Sequence, residues 1–344
     1  MTQFNLDTPI NPATKSGSTL AADLSGSSKW RDALHSLHKG SSTPSYIQAG
    51  MLWVDDSNDP VWSLYLYDGA DNILISNINT TTNSAAEYLP DRIIMSNGTD
   101  GDHDIDTTAG SFIFNDPGGL PVVRSGWAKV AGSFTKQIDA TWVQGTGNGG
   151  RPSATVSLVP NAWYHYHALS SADGSVVDFG FDGSPYAVEL FTDTNVIAAG
   201  LTKYKRLGSV RTDASSNILG FTQTGNDFEF DVPVSDVDTS DPGAAALTRT
   251  IMTPLGVQTR ANINVTLRKI TGVATFGVVY SPNISDPTPN AEIHNLYVDP
   301  SNSEISIYAG HVITNIASQV KTVFSSSDLQ TTLIISTMGW QEIE

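Results

Sequence analysis

His165 and His167 stand one residue apart in NAWYHYHAL, flanked by aromatics. Alternate residues of a β-strand share a face, so two such imidazoles could bind one metal ion. A zinc site needs a third or fourth ligand, and the sequence offers Asp178 on the next strand or His103 upstream, with nothing fixing either position. The same stretch puts Trp163, His165, His167 and Leu169 on one face and Tyr164, Tyr166 and Ala168 on the other. Each face mixes apolar and amphipathic groups, as a partly buried sheet does. That reading is preferred to a metal site.

In TDGDHDIDTTAG the carboxylates Asp100, Asp102, Asp104 and Asp106 alternate, and calcium takes clustered carboxylate oxygens. An EF-type loop requires a bidentate Glu at its last position, where Ser111 stands. A solvated turn or a charged strand edge is therefore expected. GTGNGG gives Gly145, Gly147 and Gly150 a dinucleotide-loop spacing, but RPSATVSLVP follows and reads as a strand bounded by prolines, so the loop is a turn. No nucleophile elbow, phosphate loop or zinc-protease signature is present. Carboxylates abound, yet no two are fixed at the separation glycoside hydrolysis needs. Asn97 and Asn283 lie in glycosylation sequons, which mean little without a secretory route. Tyr186, Phe191, Tyr204, Tyr280, Tyr297 and Tyr308 have the types and neighbours of carbohydrate-stacking residues, but sandwich cores use aromatics equally. No catalytic, cofactor-binding or metal-binding residue is assigned.

The elements that carry these residues are mostly short strands. Only STLAADLSGSSKWRDALHSLHKG has helical spacing, with Leu20 and Leu24, then Trp30, Ala33, Leu34 and Leu37, before a stop at Gly40. GMLWVDDSNDPVWSLYLYDGADNILISNI alternates around turns at Asp55–Pro60 and Asp68–Gly69, a meander of three strands. NTTTNSAAEY has a linker's composition. From Tyr88 onward strand follows turn, through segments such as GSFIF, TWVQG, VVDFGF, DFEFDVPV, NINVTLRKI and TLIISTMGW. This predicts a mainly β chain: antiparallel, jelly-roll-like β-sandwich lobes behind a small helical plus meander N-terminal module. The expected divisions are residues 1–87, 88–240 and 241–344, the last either separate or part of the same sandwich, with DVDTSDPGAAA marking the break. No fixed-period repeat supports a solenoid.

Composition narrows the partners. Lys and Arg total 18 against 35 for Asp and Glu, a net charge of -17, which opposes nucleic-acid binding. Charged residues make up 15%, against roughly 25% in average domains. Ser, Thr, Asn and Gly carry the polar surface instead. There is no cysteine, hence no disulfide framework and no thiolate metal site. No apolar run approaches the ~18 residues of a membrane helix. The opening MTQFNLDTPINPATKSGS lacks the order of a signal peptide, so synthesis in a cytoplasm is expected.

Three stretches carry a family likeness. One is GSSTPSYIQAGMLWVDDSNDPVWSLYLYDGADNILI; another is the ordered series DHDIDTTAGS, FTKQIDATWVQGTGNGG, AWYHYHAL, GSVVDFGFDGS and YKRLGSVRTDASSNILGF; the last is ISTMGW. Together they resemble the tail-fibre proteins of tailed bacteriophages and prophages over most of Gly40 to Phe221. The family strand reads aromatic, Tyr-His, then apolar residues; His165 matches, while His167 stands where an apolar residue is usual. The resemblance implies a non-enzymatic virion structural protein, a homotrimer located in the tail and needing no cofactor. Its N-terminal part would hold other tail or baseplate proteins, and its β domain would face a host glycan or outer-membrane protein. The alternatives are an architectural connector without receptor binding and, less favoured, a polysaccharide depolymerase.

Overall fold

The computed structural model describes residues 38–343 except 46, 82–83, 88–92, 118–123, 153–156 and 300–304. Two compact units divide at Pro90, Met1–Pro90 and Asp91–Glu344.

The first unit is one five-stranded sheet. Strands β2 (Leu52–Asp55), β3 (Val61–Tyr67) and β4 (Asn72–Asn79) form the expected meander. β1 (His38–Gly40) lies parallel to β2, and β5 (Ser84–Glu87) lies antiparallel to β4. Buried Trp53 anchors the sheet: its ring stacks on Tyr65 at 5.1 Å and its indole N–H donates to Asn72 Oδ1 at 3.0 Å. Two expectations change here. The helix expected after Ser18 lies outside the described residues up to position 37, but its last residues, His38–Gly40, are extended. Ser84–Glu87, read as linker, is a strand, because the open edge of β4 supplies hydrogen bonds that small residues can accept without steric cost.

The second unit is built from four sheets. The first contains β6 (Met95–Asn97), β7 (Asp104–Thr107), β10 (Phe134–Thr141) and β11 (Asn148–Arg151), in the order β11-β10-β7-β6. The second contains β8 (Gly110–Asn115), β9 (Arg124–Val130), β12 (Trp163–Ser171), β13 (Val177–Asp182) and β14 (Leu201–Arg211), in the order β13-β12-β14-β8-β9. All pairings are antiparallel except β10 with β11, which run parallel. Thr141 ends β10, so TWVQG is a loop rather than a strand, while residues 157–159 are also loop where a strand was expected. The only described α-helix is α1 (Thr194–Ala198), capped by Asp193.

The third sheet has β15 (Phe221–Thr224), β16 (Asp227–Ser240), β18 (Thr259–Lys269), β21 (Ile305–Ile313) and β23 (Thr331–Glu342), ordered β15-β16-β23-β18-β21. The fourth has β17 (Leu247–Thr250), β19 (Thr275–Tyr280), β20 (Leu296–Val298) and β22 (Gln319–Phe324), ordered β17-β22-β19-β20. Strict alternation in β18 aims Ala261, Ile263, Val265 and Leu267 inward, where they meet Leu333, Ile335, Val279, Leu296 and Val320. This is a two-sheet sandwich core.

A second core joins the first two sheets, with Met95, Ile105 and Ile138 of the first meeting Phe112, Phe114, Tyr166, Phe179 and Phe181 of the second. β16 and β23 run through both cores: Phe228 and Trp340 enter the aromatic one, while Leu333 and Ile335 fill the aliphatic one. The Phe228 and Trp340 rings stack at 5.0 Å, and Trp163 meets Trp340 edge-on at 5.3 Å. Such pairs add about 0.5–1.5 kcal/mol each beyond the area they bury. Strands from either side of residue 240 thus pair within one sheet.

Candidate functional site

The histidine pair lies inside the molecule. β12 is buried on both faces, since the aromatic core covers one side and residues 183–199 with Leu255 cover the other. His165 is 2% exposed and His167 is 0% exposed. His165 Nδ1 meets Ser209 Oγ at 2.9 Å, and the same hydroxyl receives an Arg206 N–H at 3.3 Å. His167 donates from Nε2 to the Ser184 carbonyl at 3.1 Å, which leaves Nδ1 unprotonated, buried and without a partner. Burial is the main cause that drives both imidazoles toward the neutral form. His165 falls well below the usual histidine value, and His167 falls to about 3, with the Arg206 charge adding to both.

The candidate third ligands are elsewhere engaged. Asp178 pairs with Lys136 at 2.8 Å, and His103 bonds Asp100 at 3.2 Å in the turn between β6 and β7. Asp182, beside His165 on β13, accepts from the Ser184 and Leu190 backbone N–H groups at 2.7 and 2.9 Å and so fastens the covering loop. Arg206 reaches Glu342, which ties β14 to the end of β23. The layer is a hydrogen-bonded polar floor.

The aspartate row is split by its hairpin. Asp100 caps the turn by accepting from the Asp102 backbone N–H at 3.3 Å, and Asp106 accepts from the Thr135 hydroxyl at 2.5 Å. Asp104 is 8% exposed; burial pushes its carboxyl up, and the charges of Asp100, Asp106 and Asp139 push the same way. Among the described residues no three His, Asp or Glu side chains stand together as a metal site. The GTGNGG loop turns at residues 144–147 and enters β11, with Asp178 Oδ2 accepting from the Gly145 N–H at 2.7 Å.

The aromatics separate into two classes. Tyr204 is buried, Tyr186 and Phe191 pack against the same small cluster, and Tyr308 packs on the aliphatic core. Tyr297, by contrast, comes to the outer face of the fourth sheet, while Tyr280, on the same side of β19 by alternation, is 5% exposed. Thr275, Gly277 and Val279 of β19 point inward, so Phe276 and Val278 face outward, and the register sets Phe276 beside Tyr297. Their ring centroids are 4.9 Å apart, and His294 closes the group at 5.2 Å from Phe276 and 6.2 Å from Tyr297. Tyr297 is 36% exposed, and His294 is exposed.

Hydrogen bonds hold this group in place. Asn295 clamps the preceding loop to β19 by accepting from the Val279 N–H at 3.0 Å and donating to its carbonyl at 2.9 Å. Asn290 Oδ1 accepts from the Glu292 and Ile293 N–H groups at 2.8 and 3.0 Å. His294 Nδ1 donates to the Asn290 carbonyl at 3.1 Å, so Nε2 is the acceptor nitrogen. At the other end of the face the Tyr280 hydroxyl donates to Asp286 at 2.9 Å, and Lys321 meets the same carboxylate at 2.6 Å. The Lys321 hydrogen bond holds Asp286 below the usual carboxylate range, while burial and Asp286 push the Tyr280 phenol up to about 12. Phe276 and His294 were not singled out from sequence; the outward alternate position of Phe276 in ATFGVVY is the signal that was there.

No protein-family model matches the chain, and no curated protein matches it. Among solved structures the chain is similar to a glycoside hydrolase family 43 arabinoxylan arabinofuranohydrolase from Bacillus subtilis, in complex with cellotetraose. The identity is 12% over 88% of this chain and 70% of that one, with a TM-score of 0.15. A likeness that slight carries no argument.

Proposed function

We propose that this chain is a non-enzymatic structural and recognition subunit of a bacteriophage tail fibre. The small N-terminal sheet would attach to tail or baseplate proteins, and the large β unit would meet the host surface. The observation that supports this most is the outer aromatic face of the fourth sheet, an exposed group of rings held by backbone-directed Asn side chains. Exposed side chains that are fixed in advance suit recognition, because little ordering entropy remains to be lost on binding. The test is adsorption of the purified full chain to a panel of bacterial cells of known surface chemistry. Binding to at least one strain, protection of that strain from infection and no release of reducing sugar are the expected results. No binding across the panel, with attachment to fibreless virions, would instead mark a connector.

The edge of the third sheet supports self-association. β21 ends its sheet and shows Ile305, Ile307 and Ile313 at 56%, 64% and 37% exposure along one face. An aliphatic row on a terminal strand invites pairing with another chain, and a closed three-fold assembly would cover it. Light scattering of the intact chain is expected to give three times the chain mass of 36.7 kDa. Ile307→Lys should lower that mass, and a monomeric wild-type chain would refute the assembly.

A further inference from the structure

We propose that Phe276, His294 and Tyr297 form the stacking subsite for a pyranose ring of an uncharged surface glycan. This deepens the recognition reading above and rests on it for its biological meaning, though not for its test. The three rings do not lie in one plane. Tyr297 tilts 33° from Phe276, and His294 tilts 62°, so together they make a shallow cup rather than a flat plate. The electron-rich faces of aromatic rings attract the slightly positive C–H groups on one side of a pyranose. Around the cup stand the polar groups that sugar hydroxyls need. His294 Nε2 accepts, because Nδ1 is already committed to Asn290, and the exposed Tyr297 carries its phenol hydroxyl at the rim.

Three alternatives are weaker for physical reasons. A core role does not account for the rings, because Thr275, Gly277 and Val279 already supply the inward positions of β19 and the rings stand on the opposite face. An acidic glycan is disfavoured by charge. Lys321, which pairs in register with Tyr280 on this face, is already bonded to Asp286, Glu292 lies in the loop that carries His294, and the whole chain is at -17. A second copy of the chain is better served by the row on β21, where Ile305, Ile307 and Ile313 are exposed and His311 is the one polar side chain on that face. What remains is a ligand with apolar ring faces, many hydroxyls and no charge.

Tyr280 is buried at 5% exposure and bounds the site rather than adding a ring to it. It lies four residues beyond Phe276 on β19, about 13 Å along the strand, with Val278 between them on the outward side. The Tyr280–Asp286–Lys321 group at that end offers acceptor and donor atoms whose charges cancel. A linear neutral chain lying along β19 would cross both ends.

The experiment is affinity electrophoresis of the purified full chain in native gels containing mannan, galactan, dextran or polygalacturonate. Retardation by at least one neutral polysaccharide is expected, with none by polygalacturonate. Tyr297→Ala should abolish the retardation, or weaken it at least tenfold, whereas Tyr297→Phe keeps the ring and most of the effect. Thermal unfolding of both variants, unchanged from the wild type, separates lost contact from lost fold. Retardation by none of the neutral polymers, or equal retardation of wild type and Tyr297→Ala, overturns the proposal. So does a change in oligomeric mass on Tyr297→Ala, which would make the rings a contact between copies. Cell adsorption by the wild type together with any of these negative results would remove the subsite and leave the recognition reading standing.

Discussion

Asp178→Ala is expected to destabilise the large unit by about 3–5 kcal/mol, the usual cost of removing one partner from a buried ion pair. Lys136 Nζ and Asp178 Oδ1 are 2.8 Å apart, and both side chains are 0% exposed. The carboxylate also accepts the Gly145 N–H at 2.7 Å and its neighbour's Phe179 N–H at 2.6 Å. The ammonium also donates to the Val143 carbonyl at 2.6 Å and reaches that of Gly149 at 3.4 Å, with the Trp142 ring 4.9 Å away. The Gly145, Val143 and Gly149 bonds close the loop between β10 and β11, and the ion pair ties that loop to β13. Alanine would leave a buried cation and two backbone N–H groups without their acceptor, and unpaired polar groups in the interior cost more than the bond itself contributes.

Burial already lowers the Lys136 pKa, so the orphaned amine has one partial escape, which is to lose its proton. The destabilisation of Asp178→Ala should therefore shrink as pH rises, while Lys136→Met shows no such relief. The double variant Lys136→Met, Asp178→Leu should cost clearly less than the two single losses added, because neither charge is left alone. Urea unfolding followed by circular dichroism measures all three. A single-variant cost below about 1 kcal/mol would mean that the loop tolerates the loss by opening to water. The pair's role would then be small.

How far the sequence disclosed this molecule differs from element to element. β18 and β23 could be read directly, since their apolar residues alternate and one face meets a core. β12 could be located but its surroundings could not, because both faces are buried and a doubly covered strand loses the alternation that marks inside from outside. Both its faces looked only partly buried for that reason. Ser84–Glu87, β17 and β20 carry almost no local signal, and their partners across the sheet make them strands. The Lys136–Asp178 pair depends on two sheets meeting, which no local spacing encodes. The aromatic cup was half legible. Tyr297 was a candidate by type, but only the register of β19 with β20 brings Phe276 beside it, and His294 joins from the preceding loop.

Lowering the pH from about 7.5 to about 5 should destabilise the large unit through its two buried histidines, and His167→Leu should remove the His167 share of that loss. The sign follows from the direction of the shifts. A histidine whose folded pKa is depressed is bound to a proton in the unfolded chain before it is in the folded one. Its stabilising neutrality is fully present above the usual value of 6.5 and is lost as pH falls toward the folded value, about 3 for His167. At pH 5 that difference amounts to about 2 kcal/mol for His167, and His165 acts in the same direction. Asp236 acts the other way. Burial raises its carboxyl to about 6, so the folded state takes up a proton first and gains about 1.4 kcal/mol by pH 5. Of the two histidines, His167 alone outweighs Asp236, and His165 adds to the loss. The groups facing them do not rescue them: Arg206 repels added positive charge, its partner Glu342 is already engaged, Asp182 is spent on backbone N–H groups, and Ser184 offers His167 only the acceptor it already uses. In His167→Leu the Ser184 carbonyl loses its donor, worth about 1 kcal/mol, while the unpaired buried Nδ1 disappears with the ring. The variant should therefore be slightly weaker than the wild type near pH 7.5 and stronger near pH 5. Urea midpoints for both proteins at the two pH values give the result. Parallel pH dependence in wild type and variant would show that His167 takes its proton without unfolding, through a pocket that admits water.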